Sequence, residues 1–175
     1  MTTPIFPFVG LVGTGAMGRG IAQIAAQGGC QVLLFDAQSG AADTARTAVQ
    51  EQWQRLQAKG RISEEQLQAW SARLQPVTEM AALKDCTLVV EAIVERLDVK
   101  QAVFAQLEAV VAPDAVLVSN TSSLSVTQIA ASLQRPERFA GLHFFNPVPL
   151  MKVVEVVAGL KTDPALCQAL TAYAR

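Results

Sequence analysis

Charge is scarce in this sequence. Of 175 residues only 17% are Asp, Glu, Lys or Arg, and 14 basic against 15 acidic side chains leave a formal net charge of −1. Such a chain has no field that would by itself hold a nucleic acid or an anionic membrane surface. Long apolar runs are lacking too. Stretches such as Ile5 to Val12 and Val153 to Ala158 fall far short of the ~20 residues that a membrane-spanning helix needs, and the N-terminus has neither a charged n-region nor a cleavage site. The chain therefore reads as soluble and cytoplasmic, with no nucleic-acid or membrane partner. Its three cysteines, Cys30, Cys86 and Cys167, are odd in number and widely spaced, which excludes a disulfide framework and matches no zinc-ligand spacing. They read as buried thiols, and no metal site is expected. Aromatic residues amount to 6% while hydrophobic residues reach 51%, so one domain with an aliphatic core is expected.

Apolar runs of strand length alternate with helical patterns, as in a sheet covered on both faces by crossover helices. Phe8 to Val12 is followed by a Gly-rich turn, and then by Met17, Ile21, Ile24 and Ala25 at helical spacing up to Gly28-Gly29. A second strand spans Gln31 to Asp36. Further strands are expected at Thr87 to Glu91, Val116 to Ser119, Phe139 to Phe144 and Val153 to Val157, with helices over Asp98 to Val111 and Val126 to Leu133. The fold class is α/β, with a doubly wound, mostly parallel sheet. Residues 39–75 are too long for an ordinary crossover. They read as an inserted helical hairpin, one helix carrying Ala45, Val49, Trp53 and Leu56 and stopping at Gly60, the other opening at Ser63 with Gln66 completing a capping box. A final helix opens at Asp163-Pro164 and meets the chain end about three turns later, which suggests a longer parent protein.

Gly13-Thr14-Gly15-Ala16-Met17-Gly18 matches G-x-G-x-x-G between an expected strand and an expected helix, and Asp36 ends the next strand 18 residues after Gly18. That context makes it a dinucleotide-binding, Rossmann-type fingerprint. Gly13 permits the tight turn, Gly15 lets main chain approach a pyrophosphate, and Gly18 lets helix and strand pack closely. The helix N-terminus, from Ala16 and Met17 onward, offers unpaired N–H groups to the diphosphate. Asp36 would accept hydrogen bonds from the adenosine ribose, and its charge favours NAD over NADP. A flavin dinucleotide, or a glycine turn with an incidental acid, are the alternatives.

Oxidation of an alcohol also needs a proton acceptor. The chain has one histidine, His143, at the end of the Phe139 to Phe144 strand, where doubly wound folds place their ligands. Glu155 interrupts Val153-Val154-Glu155-Val156-Val157, and an ionised carboxylate buried in a valine strand is costly unless paired. Pairing with His143 would fix the imidazole tautomer and leave the other ring nitrogen free as a base. Pairing with Lys152 or Arg138 is the plainer option. Ser119-Asn120-Thr121-Ser122-Ser123 forms a polar loop at the same sheet edge, either a helix cap or a set of hydroxyls for cofactor and substrate. Glu95 and Lys100, at the start of the helix after Glu91, either meet cofactor hydroxyls or form a solvated pair.

The segments Gly13 to Gly18, Val90-Glu91-Ala92-Ile93-Val94-Glu95, Ser119 to Ser123, and Gly141-Leu142-His143-Phe144-Phe145-Asn146-Pro147-Val148-Pro149-Leu150-Met151-Lys152 together resemble the NAD-binding domain of L-3-hydroxyacyl-CoA dehydrogenases, including 3-hydroxybutyryl-CoA and 3-hydroxyadipyl-CoA types. The likeness spans essentially the whole chain, and its last segment is the most specific. It implies NAD-dependent oxidation of an (S)-3-hydroxyacyl-CoA in fatty-acid or phenylacetate-type catabolism. In that resemblance His143 is the catalytic base and Glu155 orients it, Ser122 and Asn146 hold substrate and nicotinamide, Glu95 and Lys100 contact cofactor, and the hairpin lies along CoA. It also implies an all-helical C-terminal domain outside residues 1–175 that closes the cleft and carries a homodimer interface, so these residues by themselves are expected mainly to bind NAD. Two rivals are a non-catalytic dinucleotide-binding module and a β-hydroxyacid dehydrogenase of free acids, which would use a lysine base.

Overall fold

In the computed structural model, which describes residues 4–175, the first βαβ unit follows the sequence pattern closely. β1 (Phe8–Val12), α1 (Ala16–Gln27) and β2 (Gln31–Phe35) form it, with β1 and β2 parallel and in register from Phe8 opposite Gln31 to Val12 opposite Phe35. α2 (Ala41–Ala58) and α3 (Glu64–Ala72) come next, α3 opening on the full Ser63–Gln66 capping box. They lead into β3 (Leu74–Val77), which pairs parallel with β2.

That strand adds to the sequence reading. The helical hairpin expected after the second strand is present, and β3, which was not expected, makes it the crossover from β2 to β3. Four residues, Leu74-Gln75-Pro76-Val77, gave too short a pattern to see, and Pro76 argued against a strand. An edge position resolves this, because proline lacks the N–H that an inner strand would need.

The second half runs β4 (Leu88–Glu91), α4 (Leu97–Val110), β5 (Val116–Ser119), α5 (Val126–Ala130), β6 (Phe139–Phe144), β7 (Val154–Ala158) and α6 (Pro164–Tyr173). α5 stops three residues before the expected Leu133. The sheet order is β3-β2-β1-β4-β5-β6-β7, parallel except for β7, which pairs antiparallel with β6. The chain winds one way from β1 to β3 and the other way from β4, so the winding direction reverses between β1 and β4. That reversal opens a crevice at the C-terminal strand ends, where such sheets bind ligands.

Successive side chains along a strand face opposite layers. Val9, Leu11, Val32, Leu34, Leu88 and Val90 pack against α1, α2 and α6. Val89 and Leu117 point the other way, onto Phe104 and Leu107 of α4 and Ile129 of α5. Cys30 and Cys86 are buried as expected, whereas Cys167 is only partly covered.

Trp53 anchors α2 to the core. It is fully buried, packs against Trp70 of α3 at a ring separation of 5.6 Å, and its indole N–H has no hydrogen-bond partner. Trp53→Ala should cost about 3–5 kcal/mol in urea denaturation. Trp53→Phe should cost clearly less, because it removes an unsatisfied donor along with part of the ring.

Candidate functional site

The glycine-rich turn is held by sterics. Gly13 has φ +91, and a Cβ there would lie 2.7 Å from the Ala92 carbonyl oxygen. A Cβ on Gly18 would lie 1.8 Å from the Gly13 carbonyl oxygen, so only glycine lets the first turn of α1 sit on the loop. Gly15 differs: a Cβ there would meet nothing within 4 Å. Its open side faces away from protein, and no side chain caps the helix that starts at Ala16. An uncapped helix start beside an open glycine is a place for a diphosphate.

Asp36 lies just past the end of β2. Its Oδ2 accepts hydrogen bonds from the Thr14 N–H at 2.7 Å and the Thr14 hydroxyl at 2.8 Å, and its Oδ1 accepts from the Gln38 N–H at 2.9 Å. Partial burial works against ionisation, but these three donors outweigh it and hold the carboxyl below its ordinary range.

At the other end of the crevice a cleft of about 310 Å³ gathers Met17, Glu95, Lys100, Ser122, His143 and Asn146. A larger groove of about 660 Å³ lies between α1 and α6, lined by residues such as Ile21, Ile24 and Phe144. The smaller cleft is the candidate site, because polar and ionisable groups from four segments converge there and the groove is mostly apolar.

Behind the cleft sits a buried charge cluster. Lys100 is 1% exposed and Glu91 0%. The Lys100 ammonium lies 2.5 Å from Glu91 Oε1 and 3.3 Å from Glu95 Oε2. Glu91 also accepts from the Ser119 hydroxyl at 2.6 Å and the Ile93 N–H at 2.7 Å. Glu95, in the loop before α4, accepts from the Thr121 hydroxyl and from the Ser122 and Ser123 N–H groups at 3.0 and 3.3 Å. Asn120 continues the web, its Oδ1 accepting from the Phe144 N–H at 2.9 Å. The solvated-pair option for Glu95 and Lys100 is thereby set aside: Lys100 is interior, and Glu95 fastens the serine loop. Partial burial raises the Glu95 pKa, but the Thr121 hydroxyl, the Lys100 charge and the two loop N–H groups prevail and hold it at about 2.

His143 and Glu155 face each other in the β6–β7 register, and His143 Nδ1 lies 2.8 Å from Glu155 Oε2. Phe145 tilts against the imidazole at a ring separation of 4.6 Å. The pairing agrees with the sequence argument, but the premise behind it does not hold. The Glu155 side chain is 55% exposed and that of His143 18%, because β7 is an edge strand with one open face, so no burial cost forces the pair together. Lys152 and Arg138 make no ion pair with Glu155.

The fingerprint glycines and Asp36 thus define one end of the crevice, and Glu95, Lys100, Ser122, His143 and Asn146 the other, with Glu155 behind His143. Glu91, Asn120 and Thr14 escaped the sequence reading as site residues. For Glu91 a signal was present: a carboxylate ending the apolar strand Leu88-Val89-Val90.

Comparison with known proteins gives the family and the fold. Residues 8–175 match the family model described as 3-hydroxyacyl-CoA dehydrogenase, NAD binding domain. The chain is 46% identical over 162 residues to a 3-hydroxyadipyl-CoA dehydrogenase of Escherichia coli (strain K12), an alignment covering 93% of this chain and 34% of the relative. It is 40% identical to a 3-hydroxybutyryl-CoA dehydrogenase of Bradyrhizobium diazoefficiens, covering 92% of this chain and 55% of that one. Among solved structures, an (S)-3-hydroxybutyryl-CoA dehydrogenase from Ralstonia eutropha superposes with a TM-score of 0.93 at 37% identity, over 97% of this chain and 60% of that one. The chain therefore spans about a third to six tenths of the length of these relatives.

Two results should follow from the site. Gly15→Ala should leave unfolding by urea nearly unchanged while NADH binding falls sharply, whereas Gly18→Ala should destabilise the fold itself, because its Cβ has nowhere to go. Glu95 is ionised more readily in the folded than in the unfolded chain, so the stability it contributes is complete above its ordinary pKa of 4.5 and is lost as pH falls towards about 2. Denaturation measured across that window should show a flatter pH dependence for Glu95→Gln than for the wild type.

Proposed function

Since the chain belongs to the 3-hydroxyacyl-CoA dehydrogenase family, by a match of residues 8–175 to its NAD-binding domain, we propose that it serves the reversible oxidation of an (S)-3-hydroxyacyl-CoA to the 3-oxoacyl-CoA. The observation that carries this reading is the His143–Glu155 pair at 2.8 Å, opening on a cleft that also holds Ser122 and Asn146. Glu155 keeps the Nδ1 proton in place and leaves Nε2 to take the substrate hydroxyl proton. Bound NAD supplies the acceptor for the hydride that leaves C3. As C–O becomes C=O, Ser122 and Asn146 hold the oxygen on which charge changes, and Phe145 screens one face of the imidazole.

The crevice fits the dinucleotide. Asp36 meets the adenosine ribose, the uncapped start of α1 takes the diphosphate, and Glu95, backed by the buried Lys100, meets the hydroxyls near the nicotinamide. A carboxylate at Asp36 repels a 2′-phosphate, which favours NAD. The α2–α3 pair forms an arm for CoA.

Val94, Leu150, Met151 and Val153 are apolar and exposed, close in sequence to Glu95 and Asn146. They support a further helical domain that covers the cleft, excludes water from His143, and carries the contact of a homodimer. The names of the relatives support a short 3-hydroxyacyl chain, 3-hydroxybutyryl or 3-hydroxyadipyl, and the setting proposed for it is fatty-acid or phenylacetate-type catabolism in the cytoplasm. The two rival readings fare worse. A non-catalytic module has no use for the His143–Glu155 pair, and Lys100, the lysine that lines this cleft, is a poor base because its ammonium is held between two carboxylates.

Residues 1–175 should bind NADH unaided, and should reduce acetoacetyl-CoA on the order of 10³-fold more slowly than a protein that also carries the helical domain. In that longer protein His143→Gln should remove most turnover at an unchanged NADH Kd, with Glu155→Gln milder. Near-wild-type turnover in His143→Gln would overturn the assignment.

A further inference from the structure

Thr14 is the variable residue between the first two fingerprint glycines, and the fingerprint assigns it no role. The residue is nevertheless only 7% exposed, and its hydroxyl donates its proton to Asp36, 2.8 Å from Oδ2. The loop does not need that bond to stay closed. The Gly13 N–H already donates to the Phe35 carbonyl at 2.9 Å, and the Thr14 N–H to Asp36 Oδ2 at 2.7 Å.

What the hydroxyl adds is orientation. A carboxylate offers about four acceptor positions on its two oxygens. Two protein donors fill those of Oδ2, and the Gln38 N–H takes one on Oδ1. The plane of the group is then fixed, and one strong acceptor position remains, on Oδ1. A carboxylate held in this way accepts from one ribose hydroxyl and is unable to swing aside for a phosphate.

We infer that Thr14 is a positioning residue for dinucleotide selection, its hydroxyl locking the Asp36 carboxylate in the orientation that accepts an adenosine ribose hydroxyl and rejects a 2′-phosphate. The inference rests on the reading of Asp36 as the ribose acceptor. Removing the hydroxyl while keeping the side-chain shape frees the carboxylate to rotate, which weakens binding of the hydroxyl-bearing cofactor and relaxes rejection of the phosphorylated one.

The test is titration of residues 1–175 with NADH and with NADPH by fluorescence, alongside thermal unfolding. Loss of one charge-assisted hydrogen bond should raise the NADH Kd about three- to tenfold in Thr14→Val. The NADPH Kd should stay level or fall, so the ratio between the two narrows. Thr14→Ser, which keeps the hydroxyl, should restore the wild-type ratio, a rescue that a purely packing role for the methyl group would not give. Thr14→Ala supplies the same comparison should the buried valine methyl disturb folding. Asp36→Ala separates the two layers of the argument. If it leaves the NADH/NADPH ratio unchanged, the ribose reading fails and the inference with it. If it narrows the ratio while Thr14→Val and Thr14→Ala leave it unchanged, or bind NADH more tightly, the inference alone is overturned.

Discussion

A lysine ammonium with almost no access to water sits where two strand-to-helix loops meet, those after β4 and β5, and the candidate site is arranged around it. An unpaired charge there would be untenable, so Glu91 and Glu95 must both stay close to Lys100. Each carboxylate then spends its remaining acceptor positions on a different stretch of chain. Glu91 fastens the end of β5 through Ser119 and the start of the β4–α4 loop through Ile93. Glu95 fastens Thr121, Ser122 and Ser123. The serine loop is polar throughout and has little apolar surface to bury, so its shape comes from these bonds. Removing one partner of such a cluster strands the others, and the expected damage is to the loops more than to the sheet.

Parallel strands put all their C-terminal ends on one edge, and the reversal between β1 and β4 divides that edge into two ends with different tasks. One end is main chain and a single carboxylate: the turn from Gly13 to Gly18 with Asp36. The other is side-chain chemistry: His143, Ser122 and Asn146 over the buried cluster. α1 begins between them. The division explains why steric constraint dominates at the first end, where one added methyl group on Gly18 would collide with the Gly13 carbonyl, and hydrogen bonding at the second.

Most of this was legible in the residues. The fingerprint, the Ser63–Gln66 box and the strand-length apolar runs are local signals, and each appears where its local physics puts it. β3 was not legible, since four residues with a central proline make sense only as an edge strand and nothing local marks an edge. Glu155 stands out in the sequence as a carboxylate among valines, yet burial is not what pairs it with His143: the antiparallel register sets the two opposite each other, with the Glu155 side chain still half in solvent. Glu91 went unremarked because its function is interior to the protein, toward a lysine nine residues on and a serine in the next strand. A pattern reading that looks outward for ligands passes over residues that only hold other residues.

Because the base and its orienting carboxylate belong to directly opposed rungs of one ladder, their spacing is a property of backbone pairing and not of the route by which the chain travels from one strand to the other. The connection over residues 145–153 is held by its own contacts, Val148 being buried in the core cluster, and it is not what sets the distance between base and carboxylate. A single-residue deletion inside β7 is another matter. The residues on one side of the deletion would re-pair one step out of phase and change faces, and where that side includes Glu155 the carboxylate would end on the side of the sheet away from the imidazole. Apart from Glu155, such a strand should accordingly tolerate changes of side chain better than changes of length.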